Sequence, residues 1–175
     1  AFTHYSRAVS PLWMNAFKST IAFLAFGTFY FLTSDYHLPE QLSLLAFLLS
    51  GLIGLNIGDW FFLRAFAALG AARAIMLFGL QPMILGIAGI FLFGQKLPIE
   101  SLIALIFLFG CLFTFSFESF KQHGEWKVKG LIIGIIAISL DASGVLLTRW
   151  AFDRSPWIDP IEGNFFRCLG ASTGF

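Results

Sequence analysis

From Ala74 to Gln95 the chain runs for 22 residues without a charge, about 33 Å of α-helix at 1.5 Å per residue. A hydrocarbon layer is roughly 30 Å thick, so this one stretch is long enough to cross it. Similar stretches recur at Leu12–Leu32 (interrupted by Lys18), Leu42–Leu63 (uncharged until Asp59), Ser101–Phe117 and Gly130–Thr148 (broken by Asp141). Pro160 opens a sixth, which runs to Phe175. Between them lie polar or small-residue connectors. These are TSDYHLPEQ at 33–41, a tight AFAALGAA turn between Arg64 and Arg73, KLPIE at 96–100, FESFKQHGEWKVK, and Arg149–Asp159. Five complete spans and part of a sixth predict an all-α, polytopic membrane protein, a transmembrane helix bundle. Composition agrees: 12 % of residues are charged, against about 25 % in soluble domains.

The same composition excludes several functions. Net charge is +1 with dispersed basic residues, which leaves no footprint for nucleic acid. His4, His37 and His123 fall in separate loops, so no metal site is expected. There is no phosphate loop, nucleophile elbow, catalytic carboxylate pair or His/Cys cluster. The chain therefore reads as a non-enzyme without cofactors. Cys111 and Cys168, both in apolar stretches, read as buried free thiols. Small residues spaced four apart, Gly54/Gly58, Gly130/Gly134 and Gly170/Gly174, mark helix–helix contact faces, because close backbone approach drives packing in lipid.

The polar residues inside the spans are the site candidates. Asp141 falls near mid-membrane, where a charge costs about 2.5–3.5 kcal/mol on insertion scales unless paired or facing water. It either lines a central cavity, holding a cation or proton, or is neutralised in a static helix contact. Lys18 and Arg167 each lie seven residues after a helix-opening proline, about 10 Å deep. They either snorkel to the interface or face the cavity, binding an anionic group or Asp141. Asp59 and Arg64, near the end of span two, read as an interfacial charge pair beside the anchor Trp60. Gln81-Pro82 interrupts the backbone ladder of span three, as a hinge with a polar notch or as a passive kink. Asn15 and Asn56 are lesser candidates of the same kind.

A shift of 149 positions lays residues 11–26, PLWMNAFKSTIAFLAF, on 160–175, PIEGNFFRCLGASTGF. Pro11, Asn15, Phe17, Ala22 and Phe26 meet identical residues, and Lys18 meets Arg167. An odd number of spans separates the copies, so the second enters the membrane from the opposite side. That is the inverted-topology repeat of many secondary transporters. The period predicts a parent chain of about 300 residues with ten spans. This chain then reads as a fragment, with 1–126 a first repeat lacking its first helix and 127–175 the start of a second.

Gly58-Asp59-Trp60, Gly70-Ala71-Ala72-Arg73-Ala74, Gln81-Pro82-Met83 and Phe93-Gly94-Gln95 resemble, in that order, the hallmarks of the EamA family of the drug/metabolite transporter superfamily. Ser10-Pro11 followed by Lys18 is similar to the family's Ser-Pro and basic residue, and Asp159-Pro160 with Arg167 matches the second copy. Gln95 departs from the pattern, standing where the family has an acid. The resemblance implies a 5+5 inverted repeat that exports or exchanges small metabolites by alternating access, at the cell membrane. Its partners would be the lipid bilayer, a small solute, a proton carried by Asp141 in a coupled mechanism, and a second copy in a homodimer. A structural or assembly subunit, and a short five-span carrier pairing with itself, are the alternatives. Orientation has two answers. The side bearing residues 1–11, 64–73 and 119–129 carries six basic residues against three opposite, which puts it in the cytoplasm. The resemblance puts it outside.

Overall fold

The computed structural model describes residues 10–32, 37–94, 98–104, 106–108, 110, 113–114 and 128–175. The positions Arg7, Gln95, Lys96, Cys111, Lys121 and Lys127, with His4 and His123, lie outside the described residues. The described chain forms α1 (Pro11–Leu32), α2 (Gln41–Leu69), α3 (Ala71–Phe78), α4 (Gln81–Phe93), α5 (Val128–Arg154) and α6 (Pro160–Ser172). The described positions from 99 to 114 are helical too. Gln41–Leu69, Arg73–Phe93 and Val128–Arg154 are long and apolar enough to cross a membrane. At 22 residues α1 has the length as well, but Asn15, Lys18, Ser19 and Thr20 dilute its first half.

The bundle is inverted relative to a soluble one, with polar and small residues inside. One face of α1 buries Asn15, Ser19, Gly27 and Tyr30, while Leu12, Phe17, Ile21, Leu24 and Phe31 stand exposed. The long helix α5 buries Gly130, Gly134, Ala137, Ala142, Gly144, Thr148 and Ala151 and turns Val128, Ile132 and Ile135 outward. Lipid solvates such an exterior, so packing must come from close backbone approach and interhelical hydrogen bonds. The structure supplies both.

Along its whole length α2 runs antiparallel to α5. Leu69 meets Gly130, Gly58 meets Asp141, Gly54 meets Gly144, the Thr148 hydroxyl donates to Ser50 (3.0 Å), and the Ser155 hydroxyl donates to Ser43 (2.9 Å). The carbonyls of Arg167 and Leu48 lie where a Cβ on Gly51 or Gly170 would sit, so α6 crosses α2 backbone to backbone. Between Gly51 and Gly58 the chain winds as a π-helix, a wide-turn form frequent at functional sites. Two amides brace it: Asn15 Nδ2 donates to the Leu55 (3.1 Å) and Asn56 (2.9 Å) carbonyls, and Asn56 Nδ2 donates to the Ala171 carbonyl (2.8 Å).

Asn15 is 1 % exposed, so its loss removes two interhelical hydrogen bonds from an apolar interior. Asn15→Leu is expected to destabilise the bundle by about 1–2 kcal/mol, read by denaturant unfolding in detergent. Thr20→Val should change little, because among the described residues the Thr20 hydroxyl bonds only to Ala16 of its own helix, on an exposed face.

The repeat-matched helices α1 and α6 pack antiparallel. Phe165, near the start of α6, stacks on Tyr30 (4.7 Å between ring centres) and Phe23 (5.4 Å) in the later part of α1. At the opposite end Asn56 links Asn15 to Ala171. Around this seam Tyr30, Phe47, Phe165 and Phe166 form an aromatic core. Asp159 caps α6, accepting from the Ile161 N–H (2.8 Å), while Glu162 accepts from the Asp159 N–H (3.1 Å) and the His37 N–H (3.1 Å).

Several boundaries differ from the sequence-based expectations. The helix through Asp141 continues past Thr148 to Arg154, where a loop was expected from Arg149; Ala151 is fully buried there and Arg154 reaches Glu40 at 3.4 Å, so the extra turn is packed and paired. The turn expected across Arg64–Arg73 shrinks to Gly70, whose φ of +88° suits glycine. Span three breaks at Gly79–Leu80, just ahead of Pro82. Pro82 stands in the first turn of α4, where its missing N–H costs nothing.

Candidate functional site

The predicted polar residues converge. Asp141 is the central residue of the 27-residue α5, and the α3–α4 break aims the first side chain of α4 at it: the Gln81 amide donates to the Asp141 carboxylate. Opposite, Lys18 of α1 forms an ion pair with Asp59 at the end of the π segment of α2. Lys18 is 57 % exposed and Asp59 18 %, so the pair opens to one side of the bundle. Arg167 of α6 lies within electrostatic reach of both Asp141 and Asp59. Five residues from five helices, two of them anionic and two cationic, thus share one region at the level of the midpoint of α5.

Their contacts are unequal. Lys18 and Asp59 satisfy each other, and Asp141 has a neutral amide. Arg167 touches no carboxylate among the described residues; its Nη1 donates to Asn164 at 3.5 Å, and its Nε is buried without a partner. Asn15 Oδ1 and Ser19 Oγ on α1 are likewise buried and unpartnered. Orphaned buried polar atoms are rare in native proteins, so three such atoms on the facing helices α1 and α6 mark this seam as unusual.

One sequence-based pairing is corrected. Asp59 does not pair with Arg64: its carboxylate goes to Lys18, and the Arg64 guanidinium lies 3.7 Å over the Trp60 ring. A spacing of five residues points the two side chains apart on the helix, and the aromatic face takes the guanidinium instead. Asn15 and Asn56 serve the helix seams, holding backbone carbonyls, while Pro82 starts the helix that presents Gln81. The Gln81–Asp141 contact was invisible in the sequence, since 60 positions separate its partners; two costly polar groups in apolar spans were the only signal. Among the described residues no group of three His, Cys, Asp or Glu side chains is placed to hold a metal ion.

No curated protein and no solved structure matches the chain. The model of the EamA-like transporter family matches residues 1–117, which carry Lys18, Asp59 and Gln81. An α-helical membrane bundle with charged side chains sequestered among its spans fits a family of transporters, which is not a family of enzymes, and the chain belongs to the EamA-like transporter family.

Proposed function

We propose that this protein is a secondary transporter that moves small metabolites across the cell membrane by alternating access, with Lys18, Asp59, Gln81, Asp141 and Arg167 lining the solute path. Residues 1–126 and 127–175 act as parts of two inverted halves, and α1 and α6 are their equivalent helices. The observation that carries the reading is the convergence of four charges from α1, α2, α5 and α6 at the midpoint of α5. Such charges are costly in lipid and are commonly retained along substrate or ion pathways. The antiparallel packing of α1 on α6, with Lys18 and Arg167 at matching positions, supports a pseudo-two-fold axis through the site.

Rocking of the halves would expose the cluster to each side in turn. The test is thiol labelling in native membranes, in the full open reading frame with its own cysteines replaced. Gln81→Cys and Asp141→Cys are expected to react with a lipid-impermeant methanethiosulfonate added from either face, and added solute should shift the balance between faces. Protection of both positions from both sides, under all conditions, rules out a transport path through the cluster.

A further inference from the structure

At the end of the bundle where α1 stops and α6 starts, residues 37–43 and 154–162 are joined through side chains. Glu162, 4 % exposed, accepts from the His37 N–H and from the Asp159 N–H (both 3.1 Å), so one buried carboxylate holds both connectors. The Ser155 hydroxyl donates to Ser43 (2.9 Å) and accepts from the Glu40 N–H (3.2 Å). The Trp157 indole donates to the Leu38 carbonyl (3.3 Å), and Arg154 reaches Glu40 at 3.4 Å. Among the described residues no backbone–backbone hydrogen bond crosses this joint. The crossing of α2 and α6 is different, because there backbone lies directly against glycine. Links made by side chains exchange readily for water, so the net cost of parting them is small.

Beneath the joint, Tyr30, Phe47, Phe165 and Phe166 fill the bundle, within two turns of the helix ends that carry it. Asp141 lies thirteen residues before Arg154, about 20 Å along α5. The joint and the aromatic core therefore stand between this end of the bundle and the polar cluster. We propose that the joint of residues 37–43 with 154–162 is the gate of the solute path at this end, shut in this structure, and that it parts when the cluster faces this side. Glu162 is its catch. Its carboxylate is kept from water while the joint is shut, and N–H groups of both connectors then take the place of water. Ser43 and Ser155 are fully buried, and parting the joint wets both.

The gate rests on the transport reading, and its test separates the two. The full open reading frame, with its own cysteines replaced, is placed in right-side-out and inverted membrane vesicles. Ser43→Cys and Ser155→Cys are combined with Gln81→Cys, which reports on the cluster. Side-chain oxygens in direct contact stand where two thiols can be bridged; copper phenanthroline forms the disulfide and dithiothreitol reverses it. A lipid-impermeant maleimide is then added from each face, and the label at position 81 is read by peptide mass. With the bridge formed, position 81 is expected to react from the face opposite the joint alone, and reduction restores reaction from both. In the Gln81→Cys background without the bridge, Glu162→Gln should speed labelling from the joint's face by about tenfold, the worth of one charge-assisted hydrogen bond. Glu40→Gln, which breaks an exposed pair, should change it by about twofold or less. Labelling from the joint's face that persists with the bridge in place overturns the gate and leaves the carrier reading standing, as does a bridge that never forms. An unchanged rate in Glu162→Gln overturns its part as the catch. Silence at position 81 from both faces after reduction removes the carrier reading, and the gate with it.

Discussion

Gly51→Ala is expected to cost about 3 kcal/mol or more of stability, the upper end for overpacking, because its Cβ would lie 1.8 Å from the Arg167 carbonyl oxygen. A flexible side chain can turn away from a new methyl group; a helix backbone has to translate. Gly170→Ala, with its Cβ 2.1 Å from the Leu48 carbonyl oxygen, should be as damaging, since it sits on the same crossing of α2 and α6. Gly110→Ala meets nothing within 4 Å among the described residues and should be neutral. Unfolding in detergent, followed by loss of helical signal against denaturant, measures all three. Equal stability for Gly51→Ala and Gly110→Ala would falsify the backbone-to-backbone crossing.

The second large effect concerns the ion pair of α1 and α2. Asp59→Asn leaves Lys18 without its partner, and breaking a buried pair costs about 3–5 kcal/mol. Lys18 is more than half exposed, which reduces the expected loss to about 1–3 kcal/mol. Lys18→Met combined with Asp59→Asn removes both charges and should be more stable than Asp59→Asn alone. Transport should not recover in the double variant if the charges also serve the solute path. Recovery of both properties assigns the pair a structural role only; recovery of neither removes the pairing itself.

Much of the architecture could be read from the chain because lipid imposes a simple rule, that every span must be about twenty apolar residues. The polar candidates were legible for the same reason: Asp141, Gln81, Lys18 and Arg167 are expensive where they stand. Their partners were not, because partner choice depends on how helices cross. Asp59 looked nearest to Arg64 along the chain, yet Lys18, 41 positions away, is nearer in space. The extension of α5 to Arg154 was hidden too, since WAFDR carries the charges of a connector. In the structure Arg154 reaches Glu40 at 3.4 Å and lies over the Trp150 ring at 5.0 Å, an arrangement suited to a helix end at the membrane surface.

Turns closed by i→i+5 bonds hold more residues than the 3.6 of an α-helix. Every position of α2 after Gly58 therefore lags in angle behind its place on a uniform wheel drawn from Gln41. A helical wheel carried through Asn56 without that slip assigns Asp59, Phe62 and Phe66 to the wrong compass bearings. Anyone grafting a side chain onto the second half of α2 has to reset the protractor at Gly58, or the graft will greet acyl chains instead of its intended neighbour.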